Sequence, residues 1–219
     1  MSFWGDFLTR LSAGTLTTLE LLSITIPLSI ILGILIGVLR VYGGRLGSAL
    51  ANFYVFIFRG FPLLVTMMIM FFGLADVGIM LEPFWAASAA IILCSSAYQS
   101  EYVKTAILSI GKGQSLAARA LGMNRFQEIA YVIMPQALRT ALPGITNEIL
   151  YMILYSSLAY VIGVSEIFAS AMTMNSIWVR PGEIFGTIAL VYLSMTTTAS
   201  TVFKEIENRL RIPGFEGAR

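Results

Sequence analysis

"AARALGMNRFQEIAYVIMPQALRTALPG", residues 117 to 144, is the least oily long stretch between two strongly apolar ones. Read as a helix, its opening turns place Leu116, Ala120, Leu121 and Met123 near one side, with Arg119 and Arg125 off that side. Gly122 and Asn124 interrupt it, and Phe126, Ile129, Ala130 and Ile133 then begin a second apolar stripe before Met134 and Pro135. The pattern predicts a short helix, a tight turn at a glycine free to take positive φ, and a second helix. Such an element can lie in the headgroup layer as an interfacial anchor, or stand clear of the membrane as a grip for another protein. The residues by themselves leave both readings open.

The surroundings decide the solvent. The chain is 57% hydrophobic, only 12% charged and contains no histidine, which places it outside ordinary soluble composition and marks a membrane protein. A net charge of +2, spread between segments, is too small to argue for nucleic acid. Cys94 is the sole cysteine, so no internal disulfide and no thiolate metal cluster can form. Without histidine the chain lacks the commonest metal ligand and general base. We expect no metal site, no cofactor and no catalysis in this chain.

A hydrocarbon core of about 30 Å takes about 20 helical residues to cross. Five apolar runs are long enough: 14–39, 50–74, 84–110, 140–163 and 183–206. They define a single membrane domain over 1–219, all-α, with five transmembrane helices and a helix-turn-helix at 111–136 between the third and fourth. The opening "MSFWGDFLTRL" lacks a basic start and a cleavage site, so the first span is expected to be permanent. Arg40, Arg45, Lys112, Arg119, Arg125, Arg139, Lys204, Arg209, Arg211 and Arg219 all flank one side of the spans, against Arg10 and Arg180 on the other. The positive-inside rule makes that side cytoplasmic, with the N-terminus outside. Breaks or close packing are expected at Pro27, Gly33, Gly37, "RGFP" and the "PG" at 143–144. At "RGFP", Pro62 and the residue before it resist helical geometry, which predicts a kinked second span with Leu63, Leu64 and Met67 turned toward a pathway.

The stretch quoted first resembles the cytoplasmic coupling loop of permease subunits of ATP-binding-cassette importers, of the polar amino acid uptake family. That family's pattern is a Glu-Ala-Ala triplet, a glycine a few residues on, and later an apolar-Pro pair. Ala117, Ala118, Gly122, Met134 and Pro135 match it. "RGFPLLV" at 59–65, "SAYQSEYVKTAILSIGKGQ" at 96–114 and "SLAYVIGVSEI" at 157–167 are similar to further family segments, so the likeness covers almost the whole chain. It implies a type I importer permease fold in the cell membrane. The implied partners are two ATP-binding subunits that hold the ATP and magnesium, an identical or related second permease, an external solute-binding protein, and lipid. It also implies that Ala117, Ala118, Arg119, Leu121, Gly122, Met123 and Asn124 meet the ATPase. Two departures stand out: Leu116 replaces the family glutamate, and in "LYSS" at 154–157 Leu154 and Tyr155 stand where the family commonly has a Lys-Asp or Lys-Ser pair before a Thr/Ser-Ser.

Elimination supports an external energy source. "GKGQS" at 111–115 lacks the glycine spacing and the Lys-Ser/Thr pair of a phosphate-binding loop. The spans offer few acidic groups for an ion relay: Glu20 near an outer end, Glu101 with Lys104 three residues on, and Glu148. A self-contained carrier or channel, or a non-transporting membrane scaffold, are the alternative functions. With Arg139 at the cytoplasmic edge, Glu148 lies nine residues further, about 14 Å in, with Tyr151 and Tyr155 on the same face. A carboxylate at that depth is costly and by default functional, although a structural bond near "PG" or to an arginine would also hold it. In the family, the equivalent of Glu148 and an acidic group seven residues on can flank a cationic solute; here the second is Tyr155. The expected solute site is Glu148, Tyr151 and Tyr155, with Ser95 and Tyr98 from span three and Leu64 from span two, favouring neutral or weakly basic side chains.

Overall fold

The computed structural model describes residues 2–210, so Arg211 and Arg219 of the basic count lie outside the described residues. Eight helices follow one another: α1 (Phe3–Tyr42), α2 (Gly44–Gly60), α3 (Leu63–Asp76), α4 (Pro83–Ser109), α5 (Lys112–Ala120), α6 (Arg125–Ile162), α7 (Ile167–Trp178) and α8 (Pro181–Leu210). No strand occurs among the described residues. α3 and α6 each contain π-helical turns, Ile69–Gly73 and Glu128–Ile133, and α6 closes as a 3-10 helix over Ser156–Ile162.

α1, α6 and α8 are each long and apolar enough to cross a membrane, and α2 with α3 qualify together as one broken span. α4, with 27 residues, has the length but not the oiliness. Its position explains why. It is the innermost helix, and Ala86, Ala87, Ser88, Ala90, Ser95, Ser96, Ala97 and Ser100 are buried along it. Small residues let neighbouring backbones approach closely, which is how helices associate where burial in lipid gives no hydrophobic gain. α1 runs parallel to α4: a Cβ on Gly33 would stand 2.7 Å from Gln99, and one on Gly37 would stand 2.7 Å from Val103. α6 runs antiparallel to both, with Gly144 against Tyr102 and the Ser29 hydroxyl 3.6 Å from the Met152 sulfur. The basic corner after α1, the end of α4, α5 and the start of α6 therefore share one end of the bundle.

The break at "RGFP" is sharper than a kink. α2 and α3 meet at 102°, with Phe61 (ψ 140°) and Pro62 (ψ 138°) both extended between them. The side-chain expectation needs correction. Met67 is sealed in the chain's own core with Leu21, Leu22, Ile91 and Met152, and Leu63 packs on that cluster, because the bend swings α3 onto α4 instead of toward an open channel. Pro27 and Pro143, in contrast, sit inside continuous helices. Each removes one backbone bond, and packing against neighbouring helices keeps the axis unbroken.

α1 is 40 residues, about 60 Å, twice the hydrocarbon thickness. Its first turns, capped by the Ser2 hydroxyl, reach beyond the expected span start and pack Phe3, Phe7 and Leu11 against α7 and α8 through Ile167, Met174, Ile184 and Ile188. Glu166 caps α7, its carboxylate accepting from the backbone N–H groups of Phe168 (2.8 Å) and Ala169 (2.7 Å) and from the Tyr192 hydroxyl (3.1 Å).

Candidate solute site and coupling surface

Two stripes with the same spacing lie side by side, with Ser95 and Glu148 buried at their start and Tyr98 and Tyr151 exposed on the surface of the bundle. On α4, Ser95, Tyr98 and Tyr102 fall at i, i+3 and i+7; on α6, Glu148, Tyr151 and Tyr155 do the same. The Ser95 hydroxyl reaches toward the Glu148 carboxyl, and Tyr155 shares its surroundings with Glu148, Tyr98, Tyr151 and Tyr102. The Tyr151 and Tyr155 rings are stacked, centroids 5.7 Å apart and 13° from parallel. Glu148 is only 3% exposed, and its Oε1 has no hydrogen-bond partner. A buried carboxylate oxygen with no partner is costly, whereas a donor or cation placed on it would gain a charge-assisted bond in a low-dielectric setting. The surrounding phenol rings add faces that attract cations. Chemically, the arrangement can accept an ammonium group.

A second polar cluster adjoins the first through Tyr98. The Arg59 guanidinium lies 5.1 Å from the centre of the Tyr98 ring and donates to Glu101 Oε1 at 2.7 Å. Arg40 donates to the same oxygen at 2.9 Å, and also to Asn52 (2.8 Å) and Ser100 (3.3 Å). The expected pairing of Glu101 with Lys104 is corrected: two arginines from α1 and α2 take the carboxylate, because α4 turns Glu101 toward them at the bend. A cavity of about 440 Å³ opens here between Arg40, Asn52, Arg59, Tyr98 and Glu101.

At the basic end of the bundle, α5 and α6 are joined by back-to-back caps. The Gly122 N–H bonds the Arg119 carbonyl at 2.9 Å and the Met123 N–H bonds the Ala118 carbonyl at 3.1 Å. That is a Schellman ending, and it requires the left-handed conformation that Gly122 adopts at φ +80°. Two residues later, Asn124 and Gln127 form a reciprocal capping box (2.9 and 3.0 Å) that starts α6. Arg119 donates to Glu128 at 2.8 Å and ties α5 to α6; this hydrogen bond holds the Glu128 carboxyl below the usual carboxylate range. Ala118 is buried at the turn, while Leu116, Leu121 and Phe126 are left in the open, Leu121 at 80% exposure. An exposed apolar patch rimmed by charge is the kind of surface on which another protein can dock.

Residues 29–212 match the family described as "Binding-protein-dependent transport system inner membrane component". The chain belongs to this family. It is 35% identical over 185 residues to the glutamine transport system permease protein GlnP of Escherichia coli (strain K12), covering 84% of each chain. It is also 35% identical over 213 residues to the octopine transport system permease protein OccM of Rhizobium meliloti, covering 93% of this chain and 86% of that one. Among solved structures it superposes on the crystal structure of an amino acid ABC transporter with histidines, with TM-score 0.86, 30% identity, and 95% and 99% of the two chains covered. The transport-permease reading therefore stands over a self-contained carrier or an inert scaffold.

In this inner-membrane component, Glu148, Tyr151 and Tyr155 lie on one face of α6 and Ser95 and Tyr98 on the facing side of α4, while Leu64 is half-buried on α3, outside both stripes. Ala117, Leu121, Gly122 and Asn124 are exposed, as is Arg119; Met123 is partly covered and Ala118 is buried. Sequence reasoning missed Tyr102 and the Arg40–Glu101–Arg59 cluster. The signal for Tyr102 was present: "YQSEY" at 98–102 repeats the four-residue tyrosine spacing of "YMILY" at 151–155.

Proposed function

We propose that this permease imports polar amino acids, forming half of a translocation pathway with an identical or related second permease. Two cytoplasmic ATPase subunits, holding ATP and magnesium, would dock on the turn at 117–124, and an external binding protein would deliver the solute. The basic end of the bundle is cytoplasmic in this reading, with the N-terminus outside. ATP binding closes the ATPases, pulls the coupling turns and rocks the bundles outward; hydrolysis resets them. The observation that supports the solute class is the buried Glu148 carboxylate, one oxygen of which has no hydrogen-bond partner, beside a row of tyrosines, which suits an amino acid's ammonium. Relatives named for glutamine and octopine are consistent with solutes of this kind. With Tyr155 where a second acidic group would favour strong cations, neutral side chains are preferred. The test is uptake by the reconstituted transporter, wild type and Glu148→Gln, with competition by arginine, glutamine and glutamate. Loss of uptake in the variant and strongest competition by glutamine support the reading; unchanged uptake, or dominance of glutamate, defeats it.

A further inference from the structure

We propose that Arg59 is the receptor for the solute's carboxylate, so that one continuous aromatic-lined site binds an amino acid as a zwitterion, its ammonium on Glu148 and its carboxylate on Arg59. This rests on the reading of the chain as an amino acid permease and adds the second pole of the site. Three observations converge. Arg59 and Arg40 share a single oxygen, Oε1 of Glu101, so two guanidiniums have one carboxylate between them and the cluster carries a surplus positive charge. The two arginines are not equivalent. Arg40 is buried at its side chain and also bonded to Asn52 and Ser100, whereas Arg59 is 40% exposed, has no side-chain hydrogen bond except to Glu101, and borders the cavity of about 440 Å³. Finally, Arg59 stacks on Tyr98, which lies three residues after Ser95 on the face of α4 that turns toward Glu148, with the stacked Tyr151 and Tyr155 on the helix opposite. Anion and cation are thus linked by a wall of phenol rings.

Glu101 meets the Arg59 guanidinium much as a solute carboxylate would. A guanidinium has five N–H donors in a fixed fork and can hold a second carboxylate alongside the first. Arg40 keeps Glu101 paired throughout, so engaging Arg59 leaves no buried charge stranded.

The experiment measures binding directly, since a solute-binding protein would select for the carboxylate on its own account. The purified permease–ATPase complex, without binding protein, is titrated calorimetrically with L-glutamine and with L-glutamine α-amide, whose carboxylate is replaced by a neutral carboxamide. Wild type is expected to bind the amide about tenfold more weakly, the scale of one lost charge-assisted bond. Arg59→Gln should weaken glutamine to the level of the amide and leave the amide unchanged, and Arg59→Lys should keep most of the discrimination. Equal binding of the two ligands by wild type overturns the inference without recourse to any variant. So does an Arg59→Gln complex that weakens both ligands alike or still tells them apart. If wild type binds glutamine and Glu148→Gln abolishes it while Arg59 proves indifferent, only this inference falls. If wild type binds neither ligand, the amino acid reading falls with it.

Discussion

Gly144 of α6 lies directly against the ring of Tyr102 on α4; a Cβ at that glycine would stand 2.6 Å from Cγ and Cδ1 of the tyrosine. The contact sets how closely the two stripes of the candidate site approach. Gly144→Ala must therefore displace a ring in the site, an overpacking worth about 1–3 kcal/mol. The expected outcome is a protein that reaches the membrane but loses apparent melting temperature in detergent and solute uptake together. Adding Tyr102→Ala should restore the melting temperature without restoring uptake.

Gly122 makes a different demand. No atom lies within 4 Å of where its Cβ would be, so space is free and only the backbone, at φ +80°, excludes a side chain. Gly122→Val should cost upward of about 1–2 kcal/mol in the left-handed conformation, whereas Gly122→Asn, which tolerates it, should cost less. Solute-stimulated ATPase activity of the assembled complex should fall strongly in the valine variant and modestly in the asparagine variant. Equal loss in both would make the defect steric and not conformational.

Arg119 and Glu128 brace the same turn at 2.8 Å. Because the folded-state carboxyl titrates below its ordinary value, the stabilisation is complete above about pH 4.3 and disappears as pH falls through the depressed value. Coupling should thus be indifferent to this pair between neutral pH and about pH 5. Arg119→Ala should reduce stimulated ATPase activity at neutral pH, and the charge swap Arg119→Glu with Glu128→Arg should recover part of it.

Glu166 closes the opposite end by capping α7. Glu166→Ala removes a helix cap, about 1–2 kcal/mol, and strips the Tyr192 hydroxyl of its acceptor, so thermal stability in detergent should drop clearly. Tyr192→Phe should give a smaller drop, since the two backbone bonds remain.

Helices and their turn were legible because their causes are local. Apolar runs of span length, the bend forced by Pro62, and the glycine at the α5–α6 turn each express backbone chemistry within a few residues. Glu148 was legible for a different reason: a lone carboxylate in hydrocarbon is conspicuous. What escaped was pairing over distance. Nothing near Glu101 in sequence announces that Arg40, 61 residues earlier, and Arg59, 42 residues earlier, would converge on it, whereas Lys104 sits in plain view. The continuity of α1 through Pro27 was equally hidden, because it depends on helices packed alongside and not on the proline itself.

α6 begins at the capping box of the turn and runs unbroken for 38 residues, about 57 Å, past Glu148 to Ile162. Asn124 and Glu148 are 24 residues apart along this axis, about 36 Å. The proposed docking turn and the proposed solute site are thus mounted on one connecting rod, and no chain of side-chain contacts is needed between them. The π turns at Glu128–Ile133, directly after the turn, widen the rod's hydrogen-bond register there, so in the proposed coupling a push on the turn would reach the carboxylate as axial thrust with part of its twist taken up by those turns.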